Sequence, residues 1–278
     1  MTVKLFDSHT HINYDDMGKE ERERLIRYIE KSDVAAVVDV GFDAASSADS
    51  VERAAAIPWC FAAVGIHPHD SKSTTDADIV RIAELADSPE AVAIGEIGLD
   101  FFKDYSPRDR QRDIFKRLIA LALKKKMPII IHDRDSGGEA AEILSAEGAF
   151  SDERRACFAP NPVSGIPDAR VLFHCYAGSV EDAFKYINMG ASISIAGPVT
   201  YSKSEVLHDV ARRIPLESMM IETDAPFLSP VPYRGKRNMS PYIEYTASAV
   251  ADLRGISYED LAAATFDNAC RFFDIEQG

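Results

Sequence analysis

Eight short apolar runs alternate with longer amphipathic segments along almost the whole chain. The runs are rich in Val, Ile and Ala and show little alternation with polar residues, which is typical of strands buried on both faces. The predicted strands cover residues 3–6, 35–40, 60–65, 91–95, 128–132, 171–174, 191–195 and 219–222. Eight strands that alternate with helices in a chain of 278 residues predict a (β/α)8 TIM barrel. A doubly wound open sheet is the structural alternative.

Amphipathic patterns predict helices between and after these strands. The predicted helices cover residues 18–31, 45–56, 76–86, 107–126, 138–146, 180–189, 203–214, 241–254 and 257–273. Pro107 suits the first turn of its helix, and the lysines at 124–126 suit the negative C-terminal end of the same helix. Ser257, with Asp260 three residues later, predicts a capped helix start.

One segment, at about 136–169, interrupts the regular alternation between the fifth and sixth predicted strands. After a short helix it contains Pro160, Pro162, Gly165 and Pro167 in a long irregular stretch. Long loops in compact domains are often functional or disordered. We therefore expect one TIM-barrel domain, 1–278, in which this insertion is either a lid over the substrate or a flexible loop.

Composition and charge argue against several classes of protein and of substrate. No apolar run approaches the roughly 18–20 residues of a membrane span, and no basic and apolar N-terminal segment resembles a signal peptide. The four cysteines form no CxxC motif, so we expect reduced thiols in the cytoplasm. A net charge of −14 argues against a broad electrostatic contact with duplex nucleic acid. A small substrate, or a strand end bound by a local basic patch, remains compatible with it.

Histidines follow the carboxyl ends of the predicted strands. Six of the seven histidines lie there: His9, His11, His67, His69, His132 and His174. Because side chains at i and i+2 of a strand point the same way, His9 and His11 aim two imidazoles at one point. Such a pair is half of a site for a divalent transition metal. Barrel enzymes build their active sites at this end of the strands.

Six side chains at these strand ends are predicted to bind two divalent ions: His9, His11, Glu96, His132, His174 and Asp224. The first two histidines and Asp224 hold one ion, and the last two histidines hold the other. Glu96, from the strand between them, is the best bridge, and Asp224 can also accept a proton from the attacking water. The structural alternatives are a carboxylate that caps a helix for Glu96 and a turn residue for Asp224.

A basic loop follows Asp224 directly and reads Pro-Tyr-Arg-Gly-Lys-Arg-Asn at 232–238. Its cations can bind a phosphate, and Tyr233 can stack on a base. Arg134 is a second candidate for a phosphate contact, with an ion pair to Asp133 or Asp135 as the alternative. The histidines of 65–69 either contact substrate or pack in a turn. The predicted substrate contacts are His67, Arg134, Arg234, Lys236 and Asn238.

The motifs that carry these side chains resemble those of the TatD-type metal-dependent deoxyribonucleases, which belong to the amidohydrolase-like metallo-hydrolase barrels. The motifs are Asp-Ser-His-Thr-His, Gly-Ile-His-Pro-His, Gly-Glu-Ile-Gly-Leu-Asp, Ile-His-Asp-Arg-Asp, His-Cys-Tyr-Ala-Gly, Glu-Thr-Asp-Ala-Pro-Phe-Leu and the basic loop. Their order and spacing match the family from Asp7 to Asn238. The resemblance implies a (β/α)8 fold, two divalent ions and hydrolysis of DNA phosphodiesters, often from the 3′ end.

Carried over by position, the resemblance places one ion among His9, His11, Glu96 and Asp224. It places the other among Glu96, His132 and His174. Three features depart from the family: Ala177 and Ala196 stand where Ser is usual, and the segment at 136–169 is longer. These departures leave the ligands intact and bear on the size and preference of the substrate.

We therefore expect a cytoplasmic deoxyribonuclease, 3′-5′ exonuclease-like, that acts on single strands or 3′ ends of DNA with Mg²⁺, Mn²⁺ or Zn²⁺. Glu96 and Asp224 are its predicted catalytic residues. An alternative is a dimetal amidohydrolase-type enzyme that acts on a small amide, a lactone or an ester unrelated to nucleic acid. A third hypothesis is a scaffold that keeps the metals without turnover.

Overall fold

The computed structural model describes residues 3–14, 16–163 and 165–276. Eight strands follow one another along the chain and form one sheet in the order β1 to β8. They are β1 Leu5–Thr10, β2 Val34–Val40, β3 Cys60–Val64, β4 Ala91–Asp100, β5 Ile129–Arg134, β6 Val171–Phe173, β7 Ala191–Ile195 and β8 Met219–Ile221. The neighbours β1–β2, β3–β4, β4–β5, β5–β6 and β7–β8 pair in parallel. Every predicted strand is therefore present.

Helices separate the strands and follow the last one. They are α1 Lys19–Ile29, α2 Ala44–Ala56, α3 Asp76–Leu85, α4 Arg108–Lys125, α5 Glu139–Ala146, α6 Asp152–Arg155, α7 Val180–Asn188, α8 Glu205–Arg213, α9 Ile243–Arg254 and α10 Tyr258–Phe273. Each predicted helix is present. The hydroxyl of Ser257 accepts a bond from the backbone N–H of Asp260, which confirms the predicted cap of α10. In the parts of the chain described, no helix is both long and apolar enough to span a membrane.

The chain groups into two compact units. The first comprises residues 1–39, 175–184 and 193–278, and the second comprises 40–174 and 185–192. In the first unit, α10 packs against β1, where the ring of Phe6 lies 5.9 Å from that of Phe273. In the second unit, α4 packs against β4 through a buried face that includes Phe115 and Leu118.

Strand β4 is longer than the sequence predicts, because it continues through the glycine-containing motif to Asp100. Glu96 therefore lies within the strand rather than after it. Gly98 pairs with His132 at φ +149°, and a Cβ at this position would lie 1.9 Å from the carbonyl oxygen of His132. Glycine is needed here because strands β4 and β5 approach so closely.

The segment at 136–169 is more ordered than predicted, because α6 lies in the stretch expected to be irregular. Arg154 of α6 is buried, and its guanidinium donates to the carbonyl oxygens of Met127 and Ala169. The ring of Phe158 lies 4.5 Å from the same guanidinium. This part of the insertion is therefore packed into the second unit, whereas a lid function for the remainder stays a prediction.

Candidate metal centre and its surroundings

The first unit brings together His9, His11 and Asp224. The two Nε2 atoms lie 3.3 Å apart, and Oδ1 of Asp224 lies 3.9 Å from His9 and 3.6 Å from His11. Two ligands that are each about 2.1 Å from a tetrahedral zinc ion are themselves about 3.4 Å apart. Both imidazoles are buried, and the carboxylate keeps 13% exposure. The spacing and the donor types therefore fit one divalent ion.

The chain after β8 positions Asp224 beside the two histidines. The backbone N–H of Asp224 donates to the carbonyl oxygen of His9, and the N–H of His11 donates to the carbonyl oxygen of Ala225. Asp224 has a left-handed backbone with φ +54°, which Asp adopts more readily than most residues. This segment therefore follows the end of β1 and directs its carboxylate toward the imidazoles.

Asp7 joins strand β1 to the segment that contains Asp224. Its carboxylate accepts bonds of 2.9 Å from the N–H and 2.6 Å from the hydroxyl of Thr223. Burial raises the pKa of Asp7 to about 7, although the bonds from Thr223 and Ser240 oppose that shift. Asp7 therefore supports, from within the core, the position of the segment that contains Asp224.

The second unit brings together Glu96, His132 and His174. Oε2 of Glu96 lies 2.9 Å from Nε2 of His174 and 3.3 Å from Nδ1 of His132, and these two nitrogens are 3.4 Å apart. Burial opposes ionisation of Glu96, but the attraction of His67 and His174 and hydrogen bonds with His132 and His174 outweigh it. The pKa of Glu96 is therefore well below its usual range. This group fits a second divalent ion.

His67 lies next to this second group. Its Nε2 is 3.3 Å from Nδ1 of His132 and 4.0 Å from Oε2 of Glu96. Its Nδ1 accepts a bond from the backbone N–H of His69 and so fixes the ring. The structure thus places this predicted substrate contact beside two candidate metal ligands, and with Glu96 and His132 it forms another group of donors that could hold an ion.

Asp100 holds His132 from the side opposite Glu96, a role that the sequence analysis missed. Oδ2 of Asp100 lies 3.3 Å from Nε2 of His132 and 2.8 Å from Nε2 of His69. Burial disfavours the carboxylate, but bonds to His132, Lys103 and His69 outweigh burial and keep the pKa of Asp100 below its usual value. Despite its own burial, His132 has a raised pKa because Asp100 and Glu96 accept its hydrogen bonds. Positions 96 and 100 share one face of β4, which was the available sequence signal.

The basic loop lies in the first unit and exposes two of its cations. The guanidinium of Arg234 lies 4.4 Å from the ring centre of Tyr201, and Nζ of Lys236 lies 5.6 Å from that of Tyr233. The Tyr233 ring stacks on Tyr242 at 4.0 Å and 2°. One face of the predicted base-stacking ring is therefore covered by protein, whereas Arg234 and Lys236 face solvent.

Asn238 is only 2% exposed and supports this loop from inside. Its side-chain N–H groups donate to the carbonyl oxygens of Thr223 and Phe227, at 2.8 and 2.6 Å. These bonds join the loop to the segment that contains Asp224. The structure thus assigns Asn238 a supporting position rather than an exposed one.

Arg134 lies at the end of β5, two residues after His132, and is exposed. Its guanidinium carbon is 4.0 Å from the ring centre of Phe102. The predicted phosphate contact is therefore accessible to solvent and rests on an aromatic ring.

A family model described as TatD related DNase matches residues 6–274, nearly the whole chain. The chain belongs to the TatD related DNase family. This membership confirms the resemblance that the sequence motifs indicate. The protein is thus a metal-dependent hydrolase of the TatD family.

Two curated relatives match over more than nine-tenths of their length. An uncharacterized metal-dependent hydrolase of Bacillus subtilis, YabD, is 37% identical over 271 residues, which cover 98% of this chain and 99% of that protein. A Rahnella protein named 3′-5′ ssDNA/RNA exonuclease TatD is 31% identical over 262 residues, which cover 92% of this chain and 93% of that protein.

Solved TatD structures share the fold. The crystal structure of YJJV, a TatD homologue from Escherichia coli K12, matches with a TM-score of 0.87 and 23% identity. The match covers 99% of this chain and 100% of that chain. The predicted (β/α)8 barrel is confirmed by this likeness.

Proposed function

We propose that this TatD-family protein is an exonuclease that hydrolyses phosphodiester bonds at the 3′ ends of single-stranded DNA. The observation that carries the proposal is that each unit contains a group of histidine and carboxylate donors at ligand spacing, with exposed arginines nearby in the chain. The name of the Rahnella relative supports the substrate and the direction of cleavage.

The six predicted ligands bind two divalent ions per subunit, Mg²⁺, Mn²⁺ or Zn²⁺. His9, His11 and Asp224 serve one ion, and His132 and His174 serve the other. Glu96 lies with His132 and His174 in the second unit, and the resemblance of its motif to the family assigns it to both ions. When bound, two such ions neutralise charge on a phosphodiester and make a water molecule more acidic.

The protein's own groups then handle the substrate and the proton. Asp224 keeps contact with solvent and accepts the proton of the attacking water. The guanidinium of Arg234 and the ammonium of Lys236 steady the phosphate that is cleaved. Arg134 binds a neighbouring phosphate, and His67 contacts the substrate near Glu96.

The test is the release of nucleotides from a 5′-labelled single-stranded oligonucleotide with Mg²⁺, Mn²⁺, Co²⁺ or Zn²⁺. We expect single-nucleotide shortening from the 3′ end and its loss in Glu96→Gln. Glu84→Gln, which changes an exposed carboxylate on α3 of the same unit, is the matched control and retains activity. A wild-type protein that releases no nucleotide with any of these ions would contradict the proposal.

A second candidate is a dimetal hydrolase of a small amide, lactone or ester. The net charge of −14 favours it, as does the pairing of Arg237 with Asp16, which removes one cation of the basic loop from substrate binding. The double variant Arg234→Ala with Lys236→Ala separates the two candidates. It weakens DNA hydrolysis strongly if phosphate is the substrate group, and it leaves turnover of a small neutral substrate unchanged.

A cytoplasmic location forms part of this proposal. The four cysteines are present as thiols, which supports this location. Disulfides form and persist in oxidising compartments, whereas thiols stay reduced in the cytoplasm. Detection of the protein in the soluble cytoplasmic fraction of fractionated cells is the test.

A further inference from the structure

The loop between β4 and α4 exposes two large aromatic rings close to each other in the chain. Phe102 is 56% exposed and Tyr105 is 55% exposed. Their neighbour Phe101 is different, because the guanidinium groups of Arg108 and Arg112 lie 4.4 and 5.3 Å from its ring centre. Phe101 is also less exposed than Phe102 and Tyr105. The surface formed by Phe102 and Tyr105, here called the aromatic platform, keeps more than half of each side chain accessible.

Cations accompany the aromatic platform. Nζ of Lys103 lies 5.6 Å from the ring centre of Phe102 and 5.8 Å from that of Tyr105. The guanidinium of Arg134 lies 4.0 Å from the ring centre of Phe102. In a chain with a net charge of −14, this combination of exposed rings and positive charge is local. It is complementary to a ligand that is both aromatic and anionic.

Direct contacts connect the platform to the proposed metal ligands of the same unit. The ring of Tyr105 lies 4.7 Å from that of His69, whose Nε2 is 2.8 Å from Asp100. Asp100 in turn contacts His132. The carboxylate also accepts bonds from the backbone N–H groups of Phe102 and Lys103, which fix the start of the loop. The platform is therefore held in a defined position next to the reaction centre.

We propose that the aromatic platform binds unpaired bases of a single-stranded nucleic acid by stacking, while Lys103 and Arg134 contact the adjoining phosphates. Aromatic rings that alternate with cations are the usual means of binding single strands without regard to sequence, since every base has a flat face. A duplex keeps its bases stacked on one another and cannot use such rings. The inference rests on the proposed nuclease function and gives a physical source for a preference for single strands.

The experiment compares two oligonucleotides of equal length and charge, a normal single strand and an abasic strand. Both have phosphorothioate linkages at the 3′ end to slow hydrolysis, and their binding to the metal-loaded protein is followed by fluorescence anisotropy. For Phe102→Ala with Tyr105→Ala we expect binding of the normal strand to weaken by roughly 5- to 100-fold for each stacked base that is lost. Binding of the abasic strand stays the same, because only stacking is removed.

Two further variants control this measurement. Tyr28→Ala removes an aromatic ring of similar exposure, 48%, from α1 and leaves the binding of both strands unchanged. Phe102→Trp with Tyr105→Phe keeps both rings and retains the binding of the wild type. If the double alanine variant loses affinity equally for both strands, or loses affinity for neither, the proposal is overturned. Such a result indicates another occupant of the platform, such as a protein.

The two proposals can fail separately. If the wild-type protein binds the normal strand through the platform but releases no nucleotide, the nuclease proposal is wrong and the binding role of the platform stands. If the wild-type protein degrades single strands and the double alanine variant has an unchanged KM for them, the platform proposal is wrong and the nuclease proposal stands.

Discussion

Oδ2 of Asp100 lies 3.3 Å from Nε2 of His132, while Nδ1 of the same imidazole faces Glu96. Only one imidazole nitrogen carries a proton in the neutral ring. Asp100 accepts that proton's hydrogen bond at Nε2, so it selects the tautomer in which Nδ1 is unprotonated and can coordinate a metal ion. We expect Asp100→Asn to weaken metal binding at this group by about 10- to 100-fold, as for other carboxylates that orient ligand histidines. Isothermal titration of the metal-free protein measures the change.

The neighbouring Asp104 provides the control for this prediction. It lies on the same loop but is exposed and pairs with Arg108. Asp104→Asn should therefore bind metal as the wild type does. Unchanged affinity in Asp100→Asn would show that His132 keeps its orientation without the carboxylate.

The fold was predictable because its strands are apolar runs separated by amphipathic helices. The limits of β4 were not, because Gly95 and Gly98 interrupt the apolar pattern and suggest the end of a strand. Their small size is instead required by the close approach of β5, where a Cβ on Gly98 would meet His132. Such an approach depends on the partner strand and is invisible in one segment of sequence.

The candidate ligands were predictable from residue type and strand position, whereas their support was not. The backbone of Asp224 is left-handed, and nothing in its neighbours demands this. The sequence predicts that Tyr233 can stack on a base, but one face of its ring is covered by Tyr242, nine residues further along the chain. Both features depend on how separate segments pack, which local sequence patterns do not encode.

His11→Asn tests the assignment of one ion to each group of donors. The change removes an imidazole whose Nε2 lies 3.3 Å from that of His9, and it leaves the ligands of the second unit intact. We expect metal content to fall from about two ions per chain to about one, measured by atomic emission after dialysis. His208→Asn, on α8, is the matched control and keeps both ions. An unchanged metal content in His11→Asn would contradict the assignment.

Gly98→Ala tests the close approach of β4 and β5. The new Cβ would meet the carbonyl oxygen of His132 at 1.9 Å, and φ +149° is unfavourable for any residue with a side chain. We expect the free energy of unfolding to fall by about 3 kcal/mol. Gly18→Ala is the control, since nothing lies within 4 Å of its Cβ. Gly18 is the N-cap of α1, where alanine is less favourable, so its stability should fall by no more than about 1 kcal/mol. Urea denaturation measures both, and equal stabilities would contradict the prediction.

Asp70→Asn tests a pH dependence of stability. Burial, together with repulsion from Asp43, raises the pKa of Asp70 from 3.8 to about 6, partly offset by Lys72. A raised pKa in the folded protein favours the protonated acid, so this contribution to stability is present below about pH 4 and is lost as the pH rises through 6.

The Asn variant resembles the protonated acid at every pH. It should therefore gain stability relative to the wild type between pH 4 and 6, and the difference should stay constant above that range. Because Asp70 keeps some contact with solvent, we expect about 1–2 kcal/mol. Urea denaturation at each pH measures this difference and cancels the titration of all groups that the two proteins share. Asp252→Asn, an exposed change on α9, is the control and should show no such rise in stability relative to the wild type. If the stability difference for Asp70→Asn does not change with pH, ionised Asp70 costs no stability.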